Sequence, residues 1–436
     1  MSSTPSLKRE LGLRDLAVFN FAAVVGIRWL AAAAHTGPGS LTLWLLAAVF
    51  FFVPSALAVA TLSRRFPEEG GIYVWTRHGF GDWHAFLCGW CYWLSNLFYF
   101  PNLVLAGVAI GASTLGLGEN RVLLLAASLG ILWIAMLANL FGLHIGKWIG
   151  NLGGLATYCA GLLLISLGLL VWSRSGSATP LRLLPSWDLD KLNFWSQIAF
   201  AFGGLELGAI LAGEIRDPER AIPRAAWISG LAIASFYILG TLAMLVLVPP
   251  ERISILTGLV QAGSAAGSQL GIPWLAPAFG ALISAGVAGQ LAAWIAGSAR
   301  IPFVIGIDRY LPAAFAQVHP RWHTPHVSIL VQGAASTLFL LALGAGENLR
   351  IGYQLLVDMS VITYFIPFLY LFASAWKFGR RWSAASGLSV TGAALVLSLI
   401  PPPDAASVWL FELKLVGGTA LLLTAARFWF QRARRR

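Results

Sequence analysis

Long charge-free intervals alternate along the chain with short, basic, polar ones. Residues 29–63, 83–118, 122–146, 148–173, 225–250, 253–299, 322–346 and 382–403 contain no Asp, Glu, Lys or Arg. Three more apolar runs are each interrupted by one charge: 16–63 by Arg28, 192–213 by Glu206 and 351–376 by Asp358. A last apolar run surrounds Leu415–Ala426. A helix needs about 20 mostly apolar residues to cross a bilayer. Divided at Gly/Pro clusters, the pattern predicts twelve such helices, over 16–35, 41–62, 83–112, 121–140, 148–173, 194–213, 225–248, 274–299, 326–344, 352–376, 386–401 and 406–430. The stretch 253–273 is charge-free but too rich in Gly and Ser to span. It is expected as an external loop with a short amphipathic helix.

Composition agrees with this pattern. Hydrophobic residues make up 58% of the chain and charged ones 11%, against roughly 25% charged in an average soluble domain. So few charges cannot cover a soluble protein of this size, and so much apolar surface excludes intrinsic disorder. The fold class expected is an all-α polytopic membrane protein. Three cysteines (Cys88, Cys91, Cys159) are too few for a disulfide framework. The stretch Met1–Asp15 lacks the apolar core of a cleaved signal peptide, so the first apolar segment is expected to remain in the mature protein.

The net charge of +11 does not point to nucleic acid, because the basic residues sit in short loops between apolar segments. With twelve helices and a cytoplasmic N-terminus, 21 Lys/Arg fall inside and 7 outside, with Arg28 in the membrane. The inner group includes Lys8, Arg9, Arg64, Arg65, Arg216, Arg220, Arg224 and the tail Arg434–Arg436. The positive-inside rule therefore places both termini in the cytoplasm of a cell that carries the protein in its inner or plasma membrane.

Two helices carry a glycine beside an ionisable group at mid-membrane depth. Helix 1 reads Val25-Gly26-Ile27-Arg28, and helix 6 reads Phe202-Gly203-Gly204-Leu205-Glu206. A lone charge at that depth costs roughly 2.5–3.5 kcal/mol on insertion scales, so it normally faces a cavity. Unwound backbone at that depth is tolerated where it lines one. The two breaks are five helices apart, an odd number, so two five-helix halves would run with opposite topology. Broken helices at matching places in inverted halves point to the binding site of a secondary transporter. The alternative for Gly203-Gly204 is close helix packing.

At these residues the sequence resembles the amino acid–polyamine–organocation superfamily of permeases. Four stretches carry the likeness. Phe66-Pro67-Glu68-Glu69-Gly70-Gly71-Ile72-Tyr73-Val74-Trp75 is similar to the family's first internal loop. Phe200–Glu206, continuing through Gly213-Glu214-Ile215-Arg216-Asp217-Pro218 to Pro223-Arg224, is similar to its sixth helix and the loop that follows. Ser298-Ala299-Arg300-Ile301-Pro302, Asp308-Arg309-Tyr310-Leu311-Pro312, His319-Pro320 and Thr324-Pro325 follow the pattern after helix 8. Helix 3, with Trp90, Trp93, Asn96 and Pro101, resembles the branch of glutamate/γ-aminobutyrate exchangers and polyamine permeases.

The resemblance implies a leucine-transporter-type fold. Its first inverted repeat would occupy 12–173, its second 194–376, and 386–430 would form two peripheral helices, all in one transport domain spanning 1–436. It also implies an aromatic gate at Phe200. The second glycine that most members carry at the helix 1 break is missing here, and Thr157 stands near the place of a helix 5 lysine found in some proton-coupled members.

Other motifs carry less. Cys88-Gly-Trp-Cys91 lies at the start of helix 3 with no second ligand pair and reads as two buried thiols. His319, His323 and His326 have ligand-like spacing but no fourth ligand, and zinc is not expected. Gly142–Lys147 comes near a phosphate-binding loop, but Trp148 follows where a hydroxyl residue belongs.

The expected function is alternating-access transport of an amino acid or related amine, by exchange or proton symport. No enzyme activity, cofactor or metal is expected. A transporter-like membrane sensor is the alternative. The candidate substrate-binding residues are Val25, Gly26, Ile27 and Arg28 at the first break and Phe200, Ala201, Phe202, Gly203 and Gly204 at the second. Free amides of the second half-helices would hold the substrate's carboxylate, and carbonyls of the first halves its ammonium. Glu206, Asp358 and Phe200 are candidates for coupling or gating, with Asp358 equally readable as a capping or loop residue. Arg28 and Glu206 are expected to be linked electrostatically. Either they pair, or Arg28 meets the substrate's carboxylate and leaves Glu206 without a partner.

Overall fold

The predicted periodicity becomes helices throughout the computed structural model, which describes residues 9–117, 120–184, 189–255, 257–345, 349–400 and 407–435. Among the described residues there is no β-strand, only one isolated parallel bridge between Leu11 and Ile215. All twelve predicted helices are present. Helix 1 has two halves, 1a (Leu13–Val24) and 1b (Arg28–His35), bent by 42°. Helix 2 runs over Ser40–Arg65, helix 3 over Asp82–Thr114, helix 4 over Arg121–Leu140 and helix 5 over Leu143–Ser175. Helix 6 is also broken, into 6a (Leu189–Ala201) and 6b (Leu205–Ile210). Helix 7 (Pro218–Leu247), helix 8 (Leu275–Ser298), helix 9 (His326–Ala345), helix 10 (Leu349–Lys377), helix 11 (Arg381–Leu397) and helix 12 (Val408–Arg434) complete the set.

Nine of the described helices are long and apolar enough to span alone, and the bent helix 1 pair adds a tenth. Helix 6 is too short in each half and forms a shorter apolar segment over Phe194–Ile210, and helix 11 has 17 residues. The expected non-spanning helix in 253–273 forms over Gly258–Leu270. Residues 401 and 406, a predicted end and start, and Lys8 and Arg436 lie outside the described residues.

Small residues set the closest packing. Helices 5 and 8 meet at Gly153 and Gly289, where a Cβ on either would sit 2.4–2.5 Å from the other's Cα. Such contact lets backbones approach where apolar burial alone gives no drive between helices in lipid. Helix 1a lies against helices 5, 7 and 8, and helix 10 against helix 3. Both breaks are thereby enclosed by intact helices. Helix 12 is the most exposed of the spanning helices, consistent with a peripheral place.

Candidate functional site

Helix 6 breaks because of Gly204, whose φ of +124° suits a residue without Cβ. The helix restarts at Leu205, and Glu206 turns back onto the start of its own half-helix. Its Oε2 accepts from the Gly204 amide at 3.1 Å. Its Oε1 accepts from the hydroxyls of Tyr92 on helix 3 (3.0 Å) and Tyr364 on helix 10 (2.6 Å). The carboxylate is buried yet has three donors, which is how a charge at this depth is tolerated. Gly203 is needed for a different reason. A Cβ there would lie 2.4 Å from the Tyr364 ring.

The helix 1 break has no acid of its own, and other helices satisfy it. The Ala23 carbonyl accepts from Gln290 Nε2 (3.0 Å) and Trp294 Nε1 (2.7 Å), both on helix 8. The Tyr237 hydroxyl, on helix 7, accepts from the Gly26 amide at 3.0 Å. The same hydroxyl lies 2.8 Å from the Val24 carbonyl and 3.0 Å from that of Ala201. It has one proton, so it donates to one of them at a time. Tyr237 thus fastens both breaks together, with its ring stacked on Trp44 at 4.3 Å.

Between the breaks lies a small cavity. Phe200, Trp29 and Tyr99 bound it on the side of helices 1b and 6a, and Tyr364 and Trp294 on the side of helix 6b. Ser95 and Asn96 of helix 3 supply polar atoms. Asn96 Nδ2 donates to the Tyr92 carbonyl at 2.7 Å, while its buried Oδ1 has no protein donor. No charged side chain lines this cavity.

Of the nine candidate binding residues, Phe200, Ala201 and Gly203 line it. Gly204 lies just behind, with a built Cβ 3.0 Å from Val24 and 3.3 Å from Trp294. Phe202 faces away, edge-on to Trp44 and Tyr237. Val25, Ile27 and Arg28 line a neighbouring cavity with Thr157 and Gln290, and Gly26 sits under the Trp29 ring.

The linkage expected between Arg28 and Glu206 is absent. Arg28 Nη1 donates to the Tyr353 hydroxyl at 3.0 Å, and its guanidinium lies 4.5 Å from the Trp29 ring centre and 5.2 Å from that of Tyr99. Glu206 points instead to Tyr92 and Tyr364, so the two do not form an ion pair, and Glu206 has hydrogen-bond donors but no cationic partner. The reason is direction. Arg28 opens helix 1b, whereas Glu206 caps helix 6b at the other end of the cavity. Asp358 is buried in the third turn of helix 10 and accepts from Gln354 Nε2 at 3.1 Å. It is neither a cap nor a loop residue, and it does not reach the main cavity.

Cys88 and Cys91 are buried free thiols. His319 Nδ1 accepts from the amides of Arg321 and Trp322, and its ring stacks on Trp322 at 4.0 Å. These histidines shape a turn. Among the described residues no group of His, Cys, Asp and Glu is placed to hold a metal ion.

Tyr92, Tyr99, Tyr237, Trp294 and Tyr364 were not singled out from sequence. One signal was available. Tyr92, Asn96 and Tyr99 are spaced i, i+4, i+7, which puts polar-tipped groups on one face of an apolar helix. Trp90 and Trp93 drew attention instead, but Trp90 donates to the Leu422 carbonyl of peripheral helix 12.

Comparison with known proteins agrees with this architecture. The family model for amino acid permeases matches residues 11–409. An uncharacterized transporter of Legionella pneumophila is 30% identical, with 95% of each chain covered. A serine/threonine exchanger of Bacillus subtilis is 25% identical, with 83% of each covered. A probable agmatine/putrescine antiporter of Lactococcus lactis is 23% identical, covering 77% of this chain and 72% of that protein.

Proposed function

The chain belongs to the amino acid permease family, and on that premise we propose that it moves an amino acid, or a related amine, by alternating access through the cavity between its two breaks. It is a multi-pass membrane transporter and not an enzyme. The observation that carries the finer reading is the cavity between the two breaks, ringed by Phe200, Tyr99, Trp29, Tyr364 and Trp294. A ring of touching aromatic side chains suits a site that opens as they part.

The lining favours a zwitterion with a small neutral side chain over a dication. A diamine needs a carboxylate at each end, and the nearest, Glu206, is turned away and holds three donors. The amides of Ile27 and Arg28 make no hydrogen bond to the protein and suit the substrate's carboxylate, which would have to reach past the main cavity to the neighbouring one that these residues line. The carbonyls of Ala23, Val24 and Ala201 already accept from Gln290, Trp294 and Tyr237. Asn96 Oδ1 is the better partner for the ammonium. Phe200 packs edge-on to Tyr364 at 5.2 Å and serves as the gate on the helix 6a side.

The orientation follows from the basic loops, with both termini cytoplasmic in the inner or plasma membrane. The relatives span an exchanger and an antiporter, which favours exchange over symport.

The test is a thermal-shift screen of the purified protein against the amino acids and common polyamines, followed by uptake into proteoliposomes. Specific binding raises stability by about 2.7 kcal/mol at a hundredfold excess over Kd. Stabilisation by small neutral amino acids and not by putrescine or agmatine is expected. Stabilisation by the diamines alone would overturn the substrate class.

A further inference from the structure

Three charged residues from three segments meet beyond the end of helix 6b, away from the cavity. Glu69 stands in the loop between helix 2 and the short helix Ile72–Phe80. Glu214 closes the turn Ala212–Glu214, and Arg300 opens the helix Arg300–Ile307 that follows helix 8. Arg300 Nε donates to Glu214 Oε1 at 2.7 Å, with the two side chains only 1% and 3% exposed. Arg300 Nη1 donates to the Ala296 carbonyl at 2.6 Å. Glu69 Oε2 accepts from the Gly213 amide at 2.6 Å. Its other oxygen, Oε1, is sealed from solvent and accepts no hydrogen bond.

The backbone closes around this group. Gly70 donates to the Ile210 carbonyl at 3.1 Å, and a Cβ on Gly71 (φ +42°) would meet Ala209 and Ile210 at 3.0 Å. The amides of Glu10 and Leu11 donate to the Glu214 carbonyl, which ties the N-terminal stretch to the same turn. The first internal loop, the end of helix 6b and the end of helix 8 are thus held as one lid.

Two carboxylates share one guanidinium here, leaving one negative charge in excess, and although Glu69 as a whole is half-buried its Oε1 is out of reach of water. The other charged groups on these segments do not offset it. Glu68 turns outward to His78 at 3.5 Å, Asp217 lies 3.9 Å from Arg220 at the surface, and Arg77 is engaged with Asp82 and Asp308. Burial, and next the Glu214 carboxylate, push the Glu69 carboxyl up to about 8, against the opposing pull of Arg300 and the Gly213 amide.

We propose that Glu69, with Glu214 and Arg300, forms a proton-binding site that locks this face shut. Glu69 carries the proton on Oε1 while the three segments are together and releases it to water when they part. The site itself stands on the closed geometry. Its link to opening rests on the alternating-access reading.

The sign follows from linkage. The closed form binds the proton more tightly than an exposed glutamate, whose pKa is near 4.3. Acid therefore favours the closed form, and that advantage is lost as pH rises toward about 8. The opening equilibrium should shift by up to about tenfold per pH unit between pH 6 and 8.

Two measurements test this without any substrate. The first is the Tm of the purified full chain from pH 6 to 9. The Tm should fall with pH, and Glu69→Gln should remove most of that slope. The second uses a single cysteine at Ala209, beneath the loop, with the three native cysteines replaced by alanine in proteoliposomes. Its rate of modification by a membrane-impermeant thiol reagent added from the helix 6b side is compared with the same cysteine carrying Glu69→Gln. That comparison removes the thiol's own pH dependence.

The ratio of the two rates should climb with pH toward tenfold or more. Parallel Tm curves in the two proteins would overturn the proton site. A Tm slope without any change in the rate ratio would overturn its role as a lock. If Glu69→Gln does not fold, Glu214→Gln serves, because loss of the neighbouring charge should move the Tm transition at least one pH unit lower. A transition unmoved by that change would also overturn the site. Failure to find a transported substrate would leave both readouts intact, so it would count against the function above and not against this site.

Discussion

The two breaks look alike in sequence and are built differently. Each pairs a glycine with an ionisable residue two positions on: Gly26 with Arg28, and Gly204 with Glu206. Helix 6 satisfies itself, because the Glu206 carboxylate folds back onto the Gly204 amide and then gathers Tyr92 and Tyr364. Helix 1 depends on others, because Arg28 points away and the exposed carbonyls are met by Gln290, Trp294 and Tyr237. The reason is the polarity of a helix end. The start of a half-helix offers amides, which an acid on the first turn can meet and an arginine cannot. An acid at a break can therefore cap the start of its own half-helix, whereas a base leaves those amides free, as at Ile27 and Arg28, and the neighbouring helices serve the carbonyls that end helix 1a.

Replacing parts of each break tests this difference, and the largest effect is expected at Glu206. Glu206→Ala leaves two buried tyrosine hydroxyls and an amide without their acceptor, at about 1–3 kcal/mol each. A loss of Tm well beyond that of any helix 1 variant is expected, together with loss of transport. A Tm within a few degrees of wild type would show that helix 6 is not held by its own acid.

Gly204→Ala comes next. Its φ of +124° is costly for any residue with a Cβ, about 1–3 kcal/mol for strain of this kind. Gly26→Ala keeps φ in the ordinary range and its Cβ would press on the Trp29 ring at 2.7 Å, a side chain that can shift, so it should lower Tm less. The reverse order would mean that the helix 1 break is the more rigid of the two.

Tyr237→Phe removes the hydroxyl shared by both breaks, with the bond it accepts from Gly26 and the bond it donates, and leaves the Gly26 amide only the Val24 carbonyl as acceptor. It should cost about 1–3 kcal/mol in unfolding measurements while leaving the Trp44 stack in place. Gln290→Ala should have the smallest polar effect, about 0.5–1.5 kcal/mol, because Trp294 still donates to the Ala23 carbonyl. A double variant of Gln290 and Trp294 that costs no more than Gln290→Ala alone would remove helix 8 from the support of this break.

The contrast also marks how far the sequence could be read. Both breaks were visible, because a glycine beside a charge is rare in an apolar run. Their partners were not. Tyr364 lies 158 positions from Glu206 and Gln290 lies 267 from Ala23, and no local pattern announces either contact. Of the two arrangements that the sequence leaves open for Arg28 and Glu206, the ion pair is absent, because depth along the membrane says nothing about which way a side chain leaves its helix.

Glu69 teaches the same point from a loop. In sequence it is one of two adjacent acids, and only the packing distinguishes them, since Glu68 reaches His78 at the surface while Glu69 meets Gly213 inside.

What the sequence determined by itself was the solvent, the number of helices and the places where two of them break. These depend on local quantities: the length of each apolar run, the cost of a charge in lipid and the freedom of glycine. The tertiary structure alone decided which groups line the cavity and which acceptors each donor finds. In lipid the outward and inward faces of a helix are both apolar, so periodicity does not tell them apart. A hydrogen bond between helices is set by rotation and crossing angle, which only the assembled bundle specifies.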